Sequence, residues 1–389
     1  MIINNEIRDL ARELQEPVDL DSFEDKTRNL ITALRTACLK SGNQSRYQAY
    51  QNIPGELGNY PTDGEGYAVA FDPLFEEENF WEQWQKFGVV VGKQVVSPEL
   101  REDTIDRIKA MIQELSEGEC DFEKPETWGN LPRDKEGNPI LSRGFLEIYH
   151  DHSLAELRQS VRVYLHHVLI WGREDLWTTF DRLGVKLPGH QESKALPLHV
   201  DQNPLINPYF KGIQGVLPLV DCPAERGTVV LAPGSKAVFK QYGQTAGRNR
   251  KEGDYVELNP TTDLGRLLKE YAKPLPLRAG DLVSWDSRTT HANTENISRE
   301  TRMMALIAAG PAREVDFLAR RAREEAFRTG LGSNEIKRGM LPEFRHRTLM
   351  AASVKPRFIS PEAALKVRQT ERLNLLGQLL YSQISYGTI

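Results

Sequence analysis

Hydrophobic positions recur along the chain with two different periods, and the change of period divides it. Residues 4–40 read as helical: Ile7, Leu10, Ala11 and Leu14 form one apolar stripe, and Leu30, Ile31, Leu34 and Cys38 form another. That spacing places the side chains on one helix face. Residues 52–72 break the pattern with Pro54-Gly55, Asn59-Tyr60-Pro61 and Asp63-Gly64, all turn signals. The segment keeps Tyr60, Tyr67 and Phe71, so an ordered connection packed over the main domain is expected. Residues 87–92 read as a short buried strand. Ser97 and Pro98 then cap and open a helix with Ile105, Ile108, Ile112 and Leu115 inward. A polar loop covers 117–142. Ser153-Leu154-Ala155-Glu156 follows with the form of a capping box, starting a helix that turns Leu157, Val161, Leu165 and Val168 inward.

Between Trp177 and Leu306 short β-type runs dominate, at 177–180, 196–200, 212–219, 228–231, 281–285 and 302–307. Turns separate them, and one helical insertion falls at 263–271. Short strands joined by turns predict a sandwich or barrel rather than a parallel α/β sheet. Beyond Pro311 the helical period returns. Val315, Phe317, Leu318, Ala322 and Phe327 line one predicted helix, and Ala363, Leu365, Val367, Leu373, Leu376 and Leu379 another. This tail covers the barrel or pairs two subunits as a homodimer. The expected class is therefore α+β, with an N-terminal extension over 1–75, a β-rich domain over 76–310 and a C-terminal helical extension over 311–389.

Composition narrows the function classes. A formal net charge of -5 and a pI near 6.0 give no electrostatic footprint for nucleic acid. The basic runs at 248–251 and 320–323 read as solvated faces. Cys38, Cys120 and Cys222 are odd in number and far apart, which argues against a disulfide framework and for a reducing compartment. The first residues lack a signal-peptide pattern, and no apolar run is long enough for a bilayer. A cytoplasmic protein with no membrane partner is expected.

Candidate chemistry centres on Leu196-Pro197-Leu198-His199-Val200-Asp201-Gln202. An imidazole and a carboxylate two positions apart project from the same face of a strand. With a third ligand they would make a two-His-one-carboxylate face with open positions, suited to non-haem iron(II). A second stretch, Ala279-Gly280-Asp281-Leu282-Val283-Ser284-Trp285-Asp286-Ser287-Arg288-Thr289-Thr290-His291, ends in such a residue, and Arg302 lies eleven positions further on. His166-His167 sits mid-helix and cannot put both rings on one face, so structural roles are expected. His150-Asp151-His152 precedes a helix cap and lacks a distal partner.

These stretches, with Gly227-Thr228-Val229-Val230-Leu231-Ala232-Pro233-Gly234-Ser235 and Lys186-Leu187-Pro188-Gly189, resemble the phytanoyl-CoA dioxygenase family of Fe(II)/2-oxoglutarate-dependent oxygenases over roughly 78–310. Lys236 stands where the family usually has His after Pro-Gly-Ser. The resemblance implies a double-stranded β-helix (a jelly-roll, cupin-like barrel) with Fe(II) held by His199, Asp201 and His291. It implies 2-oxoglutarate as co-substrate, its distal carboxylate gripped by Arg302, with Arg299 a near neighbour for that role. A guanidinium suits this task because it pairs bidentately and stays charged. Asn293 and Gln214 fall where they would face the same pocket. Trp177, Arg182, Lys186 and Gln202 are the candidate substrate residues, and their mixture suggests a small polar molecule. An acyl substrate on a carrier protein is a further possibility. Asp201 also distinguishes the chain from related radical halogenases, which carry Gly or Ala there. Hydroxylation of an unactivated carbon with O2 is expected, or desaturation or cyclisation by the same hydrogen abstraction. The rival readings are an oxygen-independent cupin-like isomerase or hydrolase and a non-catalytic binding barrel.

Overall fold

The computed structural model describes residues 1–16, 19–40, 50, 52–132, 140–146, 148–205, 207–245, 255–312, 317–329 and 373–389. Its strands are Val89–Gly92 (β1), Leu141–Ser142 (β2), Phe145–Leu146 (β3), Leu176–Thr178 (β4), Leu183–Lys186 (β5), Leu196–Val200 (β6) and Ile213–Pro218 (β7). Then follow Val229–Leu231 (β8), Val256–Glu257 (β9), Lys273–Pro274 (β10), Leu282–Asp286 (β11), His291–Asn293 (β12), Arg302–Leu306 (β13) and Ala309–Pro311 (β14). Among the described residues they form a seven-stranded sheet in the order β1-β11-β7-β13-β5-β3-β2. A five-stranded sheet in the order β10-β8-β12-β6-β9 and a pair β14-β4 complete the set. Every ladder between these strands is antiparallel. The class is mixed helix and sheet, as the periodicities predict.

Alternation along the strands sorts side chains into separate cores. Val89, Val91, Val216, Val283, Trp285 and Met304 of the larger sheet meet Val229 and Leu231 of the smaller one, so the two sheets share an inner face. The intervening residues Leu183, Val185, Leu217, Leu282, Met303 and Ala305 point the other way, onto Ile108, Met111 and Ile112 of the helix Pro98–Leu115. The outer face of the smaller sheet buries Val200 and Val256 under Leu264 and Leu268 of the helix Asp263–Tyr271. Each such aliphatic side chain contributes roughly 1.5–3 kcal/mol when fully buried.

The terminal segments share a third core. Ile7, Leu30, Ile31 and Leu34 pack with Tyr164, Leu165 and Val168 and with Leu376 and Leu379. Tyr60 and Phe71 of the connection are buried, so it does pack on the domain. Ser97 Oγ accepts from Leu100 N at 3.2 Å, the cap expected there.

Several elements differ from expectation. The N-terminal helical stretch is two helices, Asn5–Glu13 and Leu20–Lys40. Ser153 is not the cap of its helix: Asp151 is, accepting from Ser153 N at 3.0 Å and from Ser153 Oγ at 2.6 Å. That helix ends at Arg158, and a separate one runs from Val161 to Trp171. The Asp151 carboxylate, two residues earlier, accepts both the Ser153 amide and the Ser153 hydroxyl, so the serine is bound to the cap and does not act as one. In the tail, helices Phe317–Thr329 and Leu375–Leu380 are described, while Val315, Ala363, Leu365 and Val367 lie outside the described residues. All three cysteines are buried. Among the described residues, no helix is long and apolar enough to cross a membrane.

Candidate metal centre

Strands β6 and β12 lie side by side with His199 directly opposite His291. Asp201 follows β6 two residues after His199, so all three side chains emerge on the inner face. One ligand atom from each lies within 4.8 Å of the others, and all three residues are buried. Asp201 Oδ2 is 3.8 Å from His199 Nε2 and 3.4 Å from His291 Nε2. The imidazoles are oriented from behind. His199 Nδ1 faces Pro197 O at 2.7 Å and His291 Nδ1 faces Thr289 O at 2.9 Å. A carbonyl only accepts, so each Nδ1 carries the proton and each Nε2 presents its lone pair inward.

The carboxylate is fixed too. Gln214 Nε2 donates to Asp201 Oδ2 at 2.8 Å, and Trp285 Nε1 donates to Gln214 Oε1 at 3.0 Å. Burial acts to raise the Asp201 carboxyl, but the two imidazoles beside it overcome this and hold it well below the usual range. Burial, with the neighbouring His199, pushes His291 down. The states that result are a carboxylate and a neutral imidazole, both competent ligands. Asp201 Oδ1 is buried with no hydrogen-bond partner, an expensive state unless something electropositive meets it. Two imidazole nitrogens, one carboxylate and an orphaned oxygen fit a divalent first-row metal.

The same inner face carries a cationic end. Arg302 stands opposite Lys186 in the β13–β5 ladder and shares its face with Met304. It is 2% exposed. Nη1 donates to Gly227 O at 2.9 Å and Nη2 to Gly144 O at 3.1 Å, and Nε has no partner. Burial lowers it to about 10. No carboxylate pairs with it among the described residues. Lys186 Nζ donates to Asn293 Oδ1 at 2.7 Å, to Lys194 O at 2.9 Å and to Thr294 O. Burial, and the Arg302 charge, push its ammonium down to about 6. Gly184 makes this packing possible, because a Cβ there would sit 2.8 Å from Arg302 Nη2. Asn293 ties the two ends together: it lies two residues past His291 on β12 and bonds Lys186. Two strand residues span roughly 7 Å, the length scale of a five-carbon dicarboxylate.

The loop delivering His291 is braced from outside the sheets. Asp286 Oδ2 accepts from Tyr50 OH at 2.7 Å and from Arg288 Nη2 at 2.6 Å. Thr290 N donates to Ser235 Oγ at 2.8 Å, and Ser287 Oγ to Gln202 Oε1 at 2.6 Å. Lys236 lies 3.9 Å over the Tyr50 ring and donates to Gln85 O. The residue that departs from the expected motif is thus part of this brace.

A family model described as phytanoyl-CoA dioxygenase (PhyH) matches residues 84–304, more than half of the chain. The chain belongs to the PhyH family. It is 24% identical over 261 residues to Ava biosynthesis cluster protein O of Aspergillus versicolor, covering 63% of this chain and 81% of that protein. Among solved structures it is similar to a hypothetical protein JW0805 of Escherichia coli at high pH, with TM-score 0.51 and 16% identity over 96% of this chain and 95% of that one. The epimerase SnoN, in a structure with Fe3+, alpha ketoglutarate and nogalamycin RO, gives TM-score 0.43 and 16% identity over 72% of this chain and 97% of that one.

Within this PhyH-family chain the predicted site residues fall into distinct positions. His199, Asp201 and His291 converge. Arg302, Lys186 and Asn293 lie together at the cationic end. Gln214 braces Asp201. Gln202 is fully buried, its amide nitrogen 2.6 Å from both Asn207 O and Tyr209 O. The Arg182 guanidinium lies 4.6 Å over the Phe145 ring, and Trp177 is buried under Arg323, 5.2 Å from its ring. Sequence reasoning missed Trp285 and Tyr255. Trp285 had a signal, because period two from Val283 points it inward. Tyr255, whose ring lies 4.6 Å from that of His199, had none.

Proposed function

We propose that the chain is an iron(II)- and 2-oxoglutarate-dependent dioxygenase hydroxylating an unactivated carbon of a small polar metabolite or biosynthetic intermediate, with residues 76–310 as a double-stranded β-helix catalytic unit. One observation carries this reading. A buried two-His-one-carboxylate face shares its sheet interior with a buried guanidinium that no described carboxylate neutralises. An oxygen-independent isomerase or hydrolase on the same barrel has no use for that guanidinium.

His199, Asp201 and His291 would hold the metal. The chemistry supplied by iron(II) with 2-oxoglutarate is reduction of O2 coupled to removal of hydrogen from carbon, with succinate and CO2 released. Gln214, oriented by Trp285, keeps the Asp201 carboxylate from rotating, and the Pro197 and Thr289 carbonyls keep both imidazoles in the ligand tautomer. Arg302 supplies the fixed positive charge for the distal carboxylate of the co-substrate, and Lys186, whose donors go to Asn293, Lys194 and Thr294, adds positive charge beside it when protonated. Asn293 holds Lys186 in place. The apolar inner face of Val216, Val283 and Met304 keeps water away.

The test is succinate formation from 2-oxoglutarate in air with added iron(II), run across a small-metabolite library. The expected result is a compound that stimulates succinate formation and gains one oxygen atom. A compound that loses two hydrogens instead assigns desaturation or ring closure. Turnover of any compound without O2 overturns the reading.

A further inference from the structure

We propose that Tyr50 is a positioning residue for the metal ligand His291: through Asp286 it fixes the turn that presents His291, so the chain ahead of the family match completes the metal centre. This rests on the metal-binding part of the reading above. It adds a residue that lies outside the matched span 84–304.

An unbroken series of hydrogen bonds connects the phenol to the ligand. Tyr50 OH donates to Asp286 Oδ2 at 2.7 Å. The other carboxylate oxygen, Oδ1, accepts from Arg288 N at 2.9 Å and from Arg288 Nε at 3.0 Å. The Asp286 carbonyl accepts from Thr289 N at 2.7 Å. Side chain and carbonyl of one aspartate thus close the turn 286–289. At the far end of that turn, Thr289 O accepts the Nδ1 proton of His291 at 2.9 Å. This acceptor decides which imidazole nitrogen faces the metal. Arg288 belongs to the same turn and moves with it, so its bonds give the turn shape but not place. Tyr50 is anchored elsewhere, and its bond to the carboxylate supplies place.

The Tyr50 ring is held firmly enough for that task. It stacks on Trp84, 5.2 Å between centroids at 17°, and meets Phe210 at 5.0 Å and 78°. Lys236 Nζ lies 3.9 Å over it. Gly88, at φ 62°, marks the junction: a Cβ there would stand 3.2 Å from each of Tyr50 Oη, Asp286 Cβ and Lys236 Cδ. Two departures from the family therefore touch each other. Lys236 replaces the usual His after Pro-Gly-Ser, and Tyr50 precedes the matched span. Neighbouring residues follow the same course. Gly58 N donates to Pro233 O at 3.3 Å, and Glu56 lies so close to Gly234 that no side chain fits between them.

The experiment strips the full chain of metal and titrates it with cobalt(II), read by visible absorption and by competition against a chelator, with thermal midpoints alongside. Tyr50→Phe is expected to weaken cobalt binding about tenfold, the lower end of the range for disturbing a partner behind a ligand. Lys236→Met weakens it by no more than that. The double variant loses no more than the larger single change, because both act through one ring. Tyr60→Phe controls for a merely structural role. This buried tyrosine donates to Val69 O and accepts from Val91 N, away from the His291 turn. It lowers the thermal midpoint at least as much as Tyr50→Phe and leaves cobalt affinity unchanged. Unaltered cobalt affinity in Tyr50→Phe overturns the inference. So do equal losses in Tyr50→Phe and Tyr60→Phe, or losses that multiply in the double variant. The expected cobalt pattern in a protein that forms no succinate overturns the proposed function alone. An unsubstituted chain that binds no cobalt overturns both.

Discussion

Two buried guanidiniums in this chain look alike by accessibility and differ in everything around them. Arg302 is 2% exposed and Arg323 0%. Neither has a carboxylate partner among the described residues, and burial lowers both, Arg302 to about 10 and Arg323 to about 9. Arg323, however, lies 4.2 Å from the Phe180 ring and 5.2 Å from the Trp177 ring, and donates to Thr178 O and Leu380 O and to Ser382 Oγ. It ties the C-terminal segment to β4. Arg302 lies instead against the backbone of Gly144, Gly184 and Gly227, on the side of the larger sheet that faces the smaller sheet and its His199 and His291. A buried arginine without an acid is thus no evidence of a ligand by itself. What separates the two is position: Arg302 faces the interior that His199, Asp201 and His291 also face, and under the proposed function it meets the co-substrate there.

The largest expected effect separates them directly. Arg302→Leu raises the KM for 2-oxoglutarate by about 30- to several-thousandfold, the 2–5 kcal/mol range for truncating one partner of a buried charge pair. Its thermal midpoint falls as well, because Gly227 O and Gly144 O lose the Arg302 donor. A near-normal KM in this variant would place the co-substrate elsewhere. Arg323→Leu parts from it at the KM. It leaves the KM unchanged and costs on the order of 1–3 kcal/mol of stability by orphaning buried carbonyls, with faster proteolysis of 373–389. Equal effects on the KM would erase the comparison.

At the metal end, Trp285→Phe removes the donor that orients Gln214 and so loosens Asp201. Metal affinity drops about 10- to 100-fold, read by competition against a chelator without any turnover. The smallest effect is on pH. Lys186 has its folded value below that of a free lysine, so between about pH 6 and the ordinary lysine range the unfolded chain holds the extra proton. Stability therefore rises with pH across that window. Binding of the dicarboxylate favours the ammonium and runs the opposite way, weakening by up to about tenfold per pH unit above 6. In Lys186→Met this slope disappears, while an unchanged slope would assign the titration to another group.

Much of this was legible in the chain itself. The switch from helical to strand period placed β6, β7, β8, β11 and β13 within a residue or two, because short apolar β-type runs are bounded by turn residues. His199-x-Asp201 was legible because two residues on one strand share a face by local geometry alone. Local patterns misled where a competitor stood nearby. Ser153 looked like a cap, but Asp151 takes the free amides and also pairs with Arg107 at 3.1 Å. Gln202 looked like a pocket residue because it follows a ligand, but its three bonds hold the loop 202–209 against Ser287.

The sequence by itself determined which residues alternate, where the strands run, and that His199 and Asp201 share one strand face, while the family resemblance added His291 and Arg302 to them. Those properties depend on side-chain type and short spacing. The tertiary structure decided which strands become neighbours. It set His199 against His291 and Lys186 against Arg302, and brought Trp285 through Gln214 to Asp201 and Tyr255 to His199. Such pairings join residues tens of positions apart, and they are fixed by how two sheets close on a common interior, which no local pattern encodes.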